Sequence, residues 1–286
     1  MPTPNKITIF DTTLRDGELA PGVTMTLEQK ASIAELLDAM KVDVIEVGYP
    51  GHFKKNFEEI RQLSTQIKHA KICGLTGSKP DEVMRVIEAL QDAKQPRIHV
   101  YTPVNLKGQA QLTEEQVLEA IAHSVSLARN HCDDVEWGAF DAPRSDLNFL
   151  CRAIETALQH GATTINIPDS MGLLSPQEFS ELLTTIFNRV PNIDQSVVAV
   201  HCHDDLGMAV DNSIAALERG ARQIECSING LGARKGNADL AEVVNRILKH
   251  TNFTVEIEPS LLQDASNRVS AITGIEKKSK NCEALK

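Results

Sequence analysis

The chain has 286 residues and a formal net charge of −10 at pH 7. This length permits either one large α/β barrel or two ordinary domains. The acidic balance argues against a surface that binds nucleic acid or an anionic membrane. No apolar run approaches the roughly 20 residues of a membrane-spanning helix, and the start "MPTPNKITIF" lacks the features of a secretory signal, so a cytoplasmic location is expected.

Short β-rich segments alternate along the chain with longer segments whose apolar residues recur three and four positions apart. In chain order the predicted strands are 7–10, 42–47, 71–75, 97–101, 134–137, 164–167, 197–200 and 223–227. Capping boxes at Thr26, Thr113 and Ser175 mark the starts of three intervening helices. Eight such units in about 250 residues predict a TIM (β/α)₈ barrel.

The alternation stops after Ile257. We therefore predict a barrel domain over residues 1–257 and a C-terminal extension over 258–286, with a helix at 260–272 and a polar tail. The six cysteines are scattered and include no C-x-x-C pair. Neither a structural zinc site nor a disulfide framework is indicated.

The active sites of such barrels form at the C-terminal ends of the strands. There the chain reads "HCHDDLG", and His201 and His203 are two residues apart, so both imidazoles point to one side of an extended strand. Strand seven neighbours strand eight, which closes against strand one, so Asp16 and Asn237 can converge on the histidines. This mixed nitrogen and oxygen set suits Mn²⁺, Mg²⁺, Zn²⁺ or Co²⁺, with Arg15 beside it.

Simpler interpretations remain open for each of these residues. An isolated H-x-H motif is a weak signal, because it can be a polar strand end. Arg15 alone can be a structural ion pair. Asp204 and Asp205 are interpreted as helix caps or as partners that orient the ligands, and Cys202 as a packing residue.

Four segments, taken together and in order, resemble the DRE-TIM metallolyase family. They are "FDTTLRDGE", "VDVIEVGYP", "GATTINIPDSMG" and "HCHDDLGMAVDNSIAALERGARQIECSINGLGARKGN". The resemblance covers roughly residues 5 to 250 and is strongest to the α-isopropylmalate synthase and homocitrate synthase branch.

The resemblance implies a divalent metal held by Asp16, His201, His203 and Asn237. It implies that Arg15 stabilises negative charge on the ketone oxygen of a 2-oxo acid, which an acyl-CoA, normally acetyl-CoA, attacks as its enolate.

The resemblance also implies a substrate pocket. Glu46 matches a glutamate that lies in the substrate pocket of the family. Ser170 stands where the family usually has a threonine that contacts the 2-oxo acid carboxylate. Tyr49, which follows the second strand, is placed in the same pocket.

Several positions depart from the family pattern. Leu19 replaces a glutamine, Phe140 replaces a glutamate, and Asn105 stands where a histidine is usual. In "GLGARKGN" the common G-E-R becomes G-A-R. Because these changes spare the metal ligands, they indicate an altered substrate rather than a loss of activity.

The leading hypothesis is a metal-dependent acyltransferase of amino-acid biosynthesis that resembles 2-isopropylmalate synthase and forms a homodimer. The first alternative is a metal-dependent aldolase or lyase. Hydroxymethylglutaryl-CoA lyases carry a cysteine in the loop after strand eight, and "GLGARKGN" has none, which counts against that lyase. The second alternative is a non-catalytic barrel subunit.

Overall fold

The computed structural model describes residues 5–107 and 112–276. Within these ranges, eight parallel strands close into a barrel in chain order, and β8 pairs with β1. The strands are β1 (Thr8–Asp11), β2 (Val44–Gly48), β3 (Lys71–Thr76), β4 (Pro96–Pro103), β5 (Val135–Phe140), β6 (Thr164–Asp169), β7 (Val197–Cys202) and β8 (Gln223–Cys226). The predicted TIM barrel is confirmed.

Nine α-helices lie in the same described ranges. They are α1 (Leu27–Ala39), α2 (Lys55–Gln66), α3 (Pro80–Ala89), α4 (Glu114–Arg129), α5 (Leu147–Gln159), α6 (Pro176–Arg189), α7 (Ala209–Glu218), α8 (Leu240–His250) and α9 (Leu262–Thr273). None of them combines the length and apolar character required to span a bilayer.

The capping boxes in the sequence correctly place the starts of three helices. Thr26, Thr113 and Ser175 each accept a hydrogen bond from the backbone three residues on, and the side chain there returns to the cap, as a capping box requires. The helix predicted at 260–272 is α9, which begins at Leu262 after the short 3₁₀ turn Pro259–Leu261. The predicted polar tail lies mostly outside the described residues, and the domain division at 257 stays a prediction.

The main apolar core lies between the barrel and the surrounding helices. Inside the barrel, Phe10, Val44 and Cys73 form a small separate apolar cluster. Polar side chains also fill the interior: Arg97 donates hydrogen bonds to Gln223 (2.7 Å) and to Glu136 (3.1 Å). Hydrogen-bonded and ion-paired side chains therefore fill much of the barrel interior, where branched apolar residues usually pack.

A buried ion pair anchors the loop that follows β1. Lys30 on α1 is fully buried, and its ammonium nitrogen lies 2.8 Å from Glu18 and 2.7 Å from Glu59. We expect Lys30→Met to lower the free energy of unfolding by about 3 kcal/mol, because it leaves the largely buried Glu59 carboxylate without a cation and removes one of the two lysines that pair with Glu18. Urea denaturation measures the change.

Lys249→Met is the matched control, because Lys249 is an exposed lysine on α8. We expect it to change stability by no more than about 0.5 kcal/mol. Equal unfolding midpoints for the two variants would contradict the stabilising role of Lys30.

Candidate metal centre and substrate cleft

A cavity of about 550 Å³ opens at the C-terminal ends of the strands. Asp16, which follows β1, His201 on β7 and His203 just beyond β7 all line it. One potential ligand atom from each of these three residues lies within 4.8 Å of the other two. The structure therefore brings three of the four predicted ligands together at one buried point.

Hydrogen bonds orient both imidazole rings. The Nδ1 atom of His201 lies 2.8 Å from a carboxylate oxygen of Glu225, and the Nδ1 atom of His203 lies 3.3 Å from the carbonyl oxygen of Gly236. Each ring therefore has its Nε2 atom available for a metal. Partners of this kind fix the tautomer of metal-binding histidines.

Asn237, the fourth predicted ligand, lies beside the other three. It forms an isolated backbone bridge with His203, and its side-chain nitrogen donates a 2.7 Å hydrogen bond to Asp16. Its Oδ1 atom is buried and has no hydrogen-bond partner within the described part of the chain. An unsatisfied amide oxygen next to a carboxylate and two imidazoles fits a divalent cation.

Gly232 makes the close approach of these ligands possible. A Cβ atom added there would lie 2.4 Å from the Asn237 side-chain nitrogen and 2.7 Å from an Asp16 carboxylate oxygen. Any larger residue would therefore displace two of the proposed ligands.

The electrostatics favour the forms that bind a metal. Burial, followed by the neighbouring His203, lowers the pKa of His201 to about 3, and burial also lowers the pKa of His203. Burial acts to raise the pKa of Asp16, but the adjacent Arg15 and the two histidines outweigh it and the pKa is lowered. At neutral pH the site therefore offers a carboxylate and two neutral imidazoles.

Arg15 is held firmly at the edge of this site. Its Nε atom donates to Glu46 at 2.6 Å and its Nη1 atom to Asp16 at 2.8 Å. Glu46 also accepts a hydrogen bond from the Thr12 hydroxyl at 2.8 Å and lies 3.1 Å from Nδ1 of His99. Burial acts to raise the pKa of Glu46, but Arg15 and His99 outweigh it and lower the pKa to about 2.

Glu46 is fully buried and is not among the residues that line the cavity. The structure places it behind Arg15, where it orients the guanidinium, rather than in the pocket itself. Glu46 was predicted to lie in the substrate pocket, but it can act on a substrate only through Arg15.

The residues predicted to bind substrate separate into two groups. Leu19, Tyr49, Phe140 and Ser170 line the cavity. Asn105 does not, because its amide nitrogen donates a 2.7 Å hydrogen bond to Asp141 and the side chain is buried there. Its contribution is to the turn that follows β5.

Three residues of the site were not predicted from the sequence. Tyr101 lines the cavity, and its ring centroid lies 6.0 Å from that of Phe140. His99 contacts Glu46, and Glu225 contacts His201; burial, followed by Glu136, raises the pKa of Glu225 well above its usual range. His99 and Tyr101 are alternate residues of β4, and Glu225 lies within β8. Alternation along a strand predicts which side chains face the barrel interior, and this pattern is the signal that could have identified them.

The residues of the cleft fall into two groups on different strands of the barrel. The proposed ligands come from the ends of β7, β8 and β1, whereas Tyr49, Tyr101 and Phe140 come from the ends of β2, β4 and β5. We call these the metal arc and the aromatic arc. The strand order therefore separates the residues that could hold a cation from those that could contact a side chain of the substrate.

The chain is similar to known proteins over most of its length. The HMGL-like family model matches residues 6–269. A 2-isopropylmalate synthase of Rhodopseudomonas palustris (strain BisB5) is 48% identical over 275 residues, which are 94% of this chain and 52% of that protein. The corresponding synthase of Methylorubrum populi is 46% identical over 272 residues, 93% of this chain and 52% of that protein. The chain thus spans about half the length of these relatives.

Solved structures show the same fold. The HMG-CoA lyase of Bacillus subtilis superposes with a TM-score of 0.81 at 19% identity and covers 98% of both chains. The lyase of Pseudomonas aeruginosa gives 0.81 at 20% identity over 98% of this chain and 97% of that chain. Since the family model matches most of the sequence, the chain belongs to the HMGL-like family, as its DRE-TIM motifs indicated.

Proposed function

We propose that the chain is a divalent-metal-dependent acyltransferase that condenses an acyl-CoA, normally acetyl-CoA, with a 2-oxo acid, as 2-isopropylmalate synthases do. The observation that carries this proposal is the convergence of Asp16, His201 and His203 beside Arg15 at one cavity. The Asn237 amide, whose oxygen is unsatisfied, is hydrogen-bonded to Asp16. The identity of 46–48% to synthases over the barrel supports it.

Asp16, His201, His203 and Asn237 would hold the metal. When bound, a divalent cation in such a site acts as a Lewis acid that polarises the ketone of the 2-oxo acid. The donor set has two nitrogens and two oxygens, which suits Mn²⁺, Mg²⁺, Zn²⁺ or Co²⁺.

Arg15 is the residue of this chain that acts on the reacting atoms. Arg15 lines the cavity, and Glu46 and Asp16 fix the plane of its guanidinium. It can therefore donate a hydrogen bond to the ketone oxygen as negative charge develops there, without reorganising. The α-carbon of the acyl group loses a proton and bonds to the ketone carbon, the resulting alkoxide takes up a proton, and water then cleaves the thioester and releases CoA.

Two other functions would use this fold differently. The same ligand set can serve a lyase, but the lyase structures share only 19–20% identity with this chain, which shows the fold alone. A non-catalytic subunit would have no need of four side chains arranged as metal ligands beside an oriented arginine. The synthase is therefore the function that the site supports best.

Turnover tests the proposal. Purified protein with Mn²⁺ or Mg²⁺ is incubated with acetyl-CoA and a panel of 2-oxo acids, thiol release is followed by absorbance, and products are identified by mass spectrometry. We expect release of CoA that depends on both the metal and a 2-oxo acid. If no 2-oxo acid releases CoA while a 4-hydroxy-2-oxo acid yields pyruvate, the chain is an aldolase instead.

Gly232→Ala tests the ligand geometry. The added methyl group would overlap the Asn237 amide and the Asp16 carboxylate, so we expect the affinity for Mn²⁺ to fall by about 10- to 100-fold, the range seen when the support of metal ligands is disturbed. Calorimetric titration of the metal-free protein measures it.

Gly22→Ala is the control for Gly232→Ala. A Cβ atom at Gly22 meets no other atom within 4 Å, although the backbone there has a φ of +82°. This variant should lose stability without losing metal affinity. Equal Mn²⁺ affinity in the two variants would refute the assignment of Asp16 and Asn237.

A further inference from the structure

The aromatic arc concentrates ring side chains in the cleft. The chain has only two tyrosines and one tryptophan, and both tyrosines line this cavity together with Phe53 and Phe140. The ring centroids of Tyr49 and Tyr101 lie 5.9 Å apart at 89°, and those of Tyr101 and Phe140 lie 6.0 Å apart at 61°. These edge-to-face contacts build a continuous wall of ring faces and edges.

Much of this apolar surface is uncovered. Phe140 is 44% exposed, Phe53 is 39% exposed, and Leu19, on the loop after β1, is 45% exposed. All three line the cavity. Large apolar side chains that are exposed in a concave site mark a surface that a ligand covers. A three-carbon branch would cover little of this surface, whereas a planar ring presents two faces to it.

The charges of the cleft disfavour a second carboxylate on the acceptor. Each arginine or lysine among the described residues that line the cavity already has a carboxylate partner. These pairs are Arg15 with Asp16 and Glu46, Lys55 with Glu18, and Arg234 with Asp205. A dicarboxylic 2-oxo acid would have to compete for one of these cations, whereas an acceptor with an apolar side chain needs none.

The position of the wall also fits the reaction. The proposed ligands lie on the metal arc and would hold the 2-oxo acid group, while Phe140 and Tyr101 lie on the aromatic arc of the same cavity. The side chain of a 2-oxo acid held at the metal arc therefore has the aromatic arc within the same cleft to pack against.

We propose that the acceptor is a monocarboxylic 2-oxo acid that carries an aromatic ring, of the phenylpyruvate type, and that Phe140 and Leu19 determine this preference. The inference rests on the proposed acyltransferase function. It goes further by naming the class of the acceptor.

The first test compares kcat/KM for phenylpyruvate, 3-methyl-2-oxobutanoate, pyruvate and 2-oxoglutarate, with acetyl-CoA and Mn²⁺. We expect phenylpyruvate to exceed 3-methyl-2-oxobutanoate by about tenfold or more, a typical discrimination by an apolar pocket, with 2-oxoglutarate lowest. A preference for pyruvate, 3-methyl-2-oxobutanoate or 2-oxoglutarate would overturn the inference while leaving the acyltransferase proposal intact.

The second test removes the ring. We expect Phe140→Ala to lower kcat/KM for phenylpyruvate by about tenfold or more and to change the value for pyruvate by less than about twofold. Leu248→Ala, an equally exposed leucine on α8 away from the cleft, should change neither value. If Phe140→Ala instead raises KM for acetyl-CoA with every acceptor, the wall contacts the donor and the inference is wrong.

Binding without turnover separates the two proposals. Calorimetry on the Mn²⁺-loaded protein should give a lower Kd for phenylpyruvate than for pyruvate, and Phe140→Ala should remove the difference. Selective binding with no release of CoA from any acceptor would support the acceptor class and reject the acyltransferase. Equal binding of both acids would reject the acceptor class.

Discussion

His203→Ala should lower the affinity of the protein for Mn²⁺ by at least about 100-fold and reduce turnover by a similar factor or more, since a direct ligand matters more than the groups that support it. His203 lies beside Asp16 and His201, and its backbone bridges to Asn237. Its removal takes one of the two imidazole nitrogens from the proposed ligand set. Metal content after dialysis, measured by mass spectrometry, and titration with Mn²⁺ report the loss.

His123→Ala is the matched control, because His123 is an exposed histidine on α4. It should retain the full metal content and full turnover. If His203→Ala also retained the full metal content, the four-residue ligand set would be wrong.

Arg15→Lys is expected to reduce kcat by about 100- to 1,000-fold while metal content stays unchanged, a loss typical of removing one preorganised donor to a developing oxyanion. Lysine keeps the charge, but a single ammonium group cannot reproduce the guanidinium plane that Glu46 and Asp16 fix at 2.6 Å and 2.8 Å. Steady-state kinetics with the best acceptor, together with metal analysis, measure the effect.

Arg152→Lys controls for the loss of an arginine in an ion pair. Arg152 is a half-exposed residue on α5 that pairs with Glu114 at 2.7 Å, away from the cleft. This variant should keep the wild-type kcat. An Arg15→Lys enzyme that lost stability but kept kcat would show that Arg15 is only a structural ion pair.

The strands and three of the helix starts could be predicted from the sequence because they depend on local patterns. Capping boxes such as Thr26–Gln29 act within one turn, and β-rich segments are recognisable one at a time. The convergence of Asp16 and Asn237 was also predictable, since it follows from β8 closing on β1 in a barrel.

Other features depend on contacts between distant elements. Asn105 was predicted in the pocket, but it binds Asp141, whose backbone has a φ of +66°, and no local pattern in the sequence indicates this turn. Glu225 and His99 could not be predicted as site residues from the sequence. Each is an isolated polar residue in a buried strand, and its role depends on the partner that it contacts inside the closed barrel.

The separation of the metal arc from the aromatic arc has an evolutionary consequence. Phe140 and Tyr101 are carried by strands that supply none of the proposed ligands, so substitution there should leave the proposed metal site intact. If the chain is the proposed acyltransferase, new acceptors can be acquired by substitutions on one side of the barrel mouth. For the same reason, a mutant library restricted to positions 49, 101 and 140 should yield altered acceptor ranges at a higher frequency than one spread over the whole cleft.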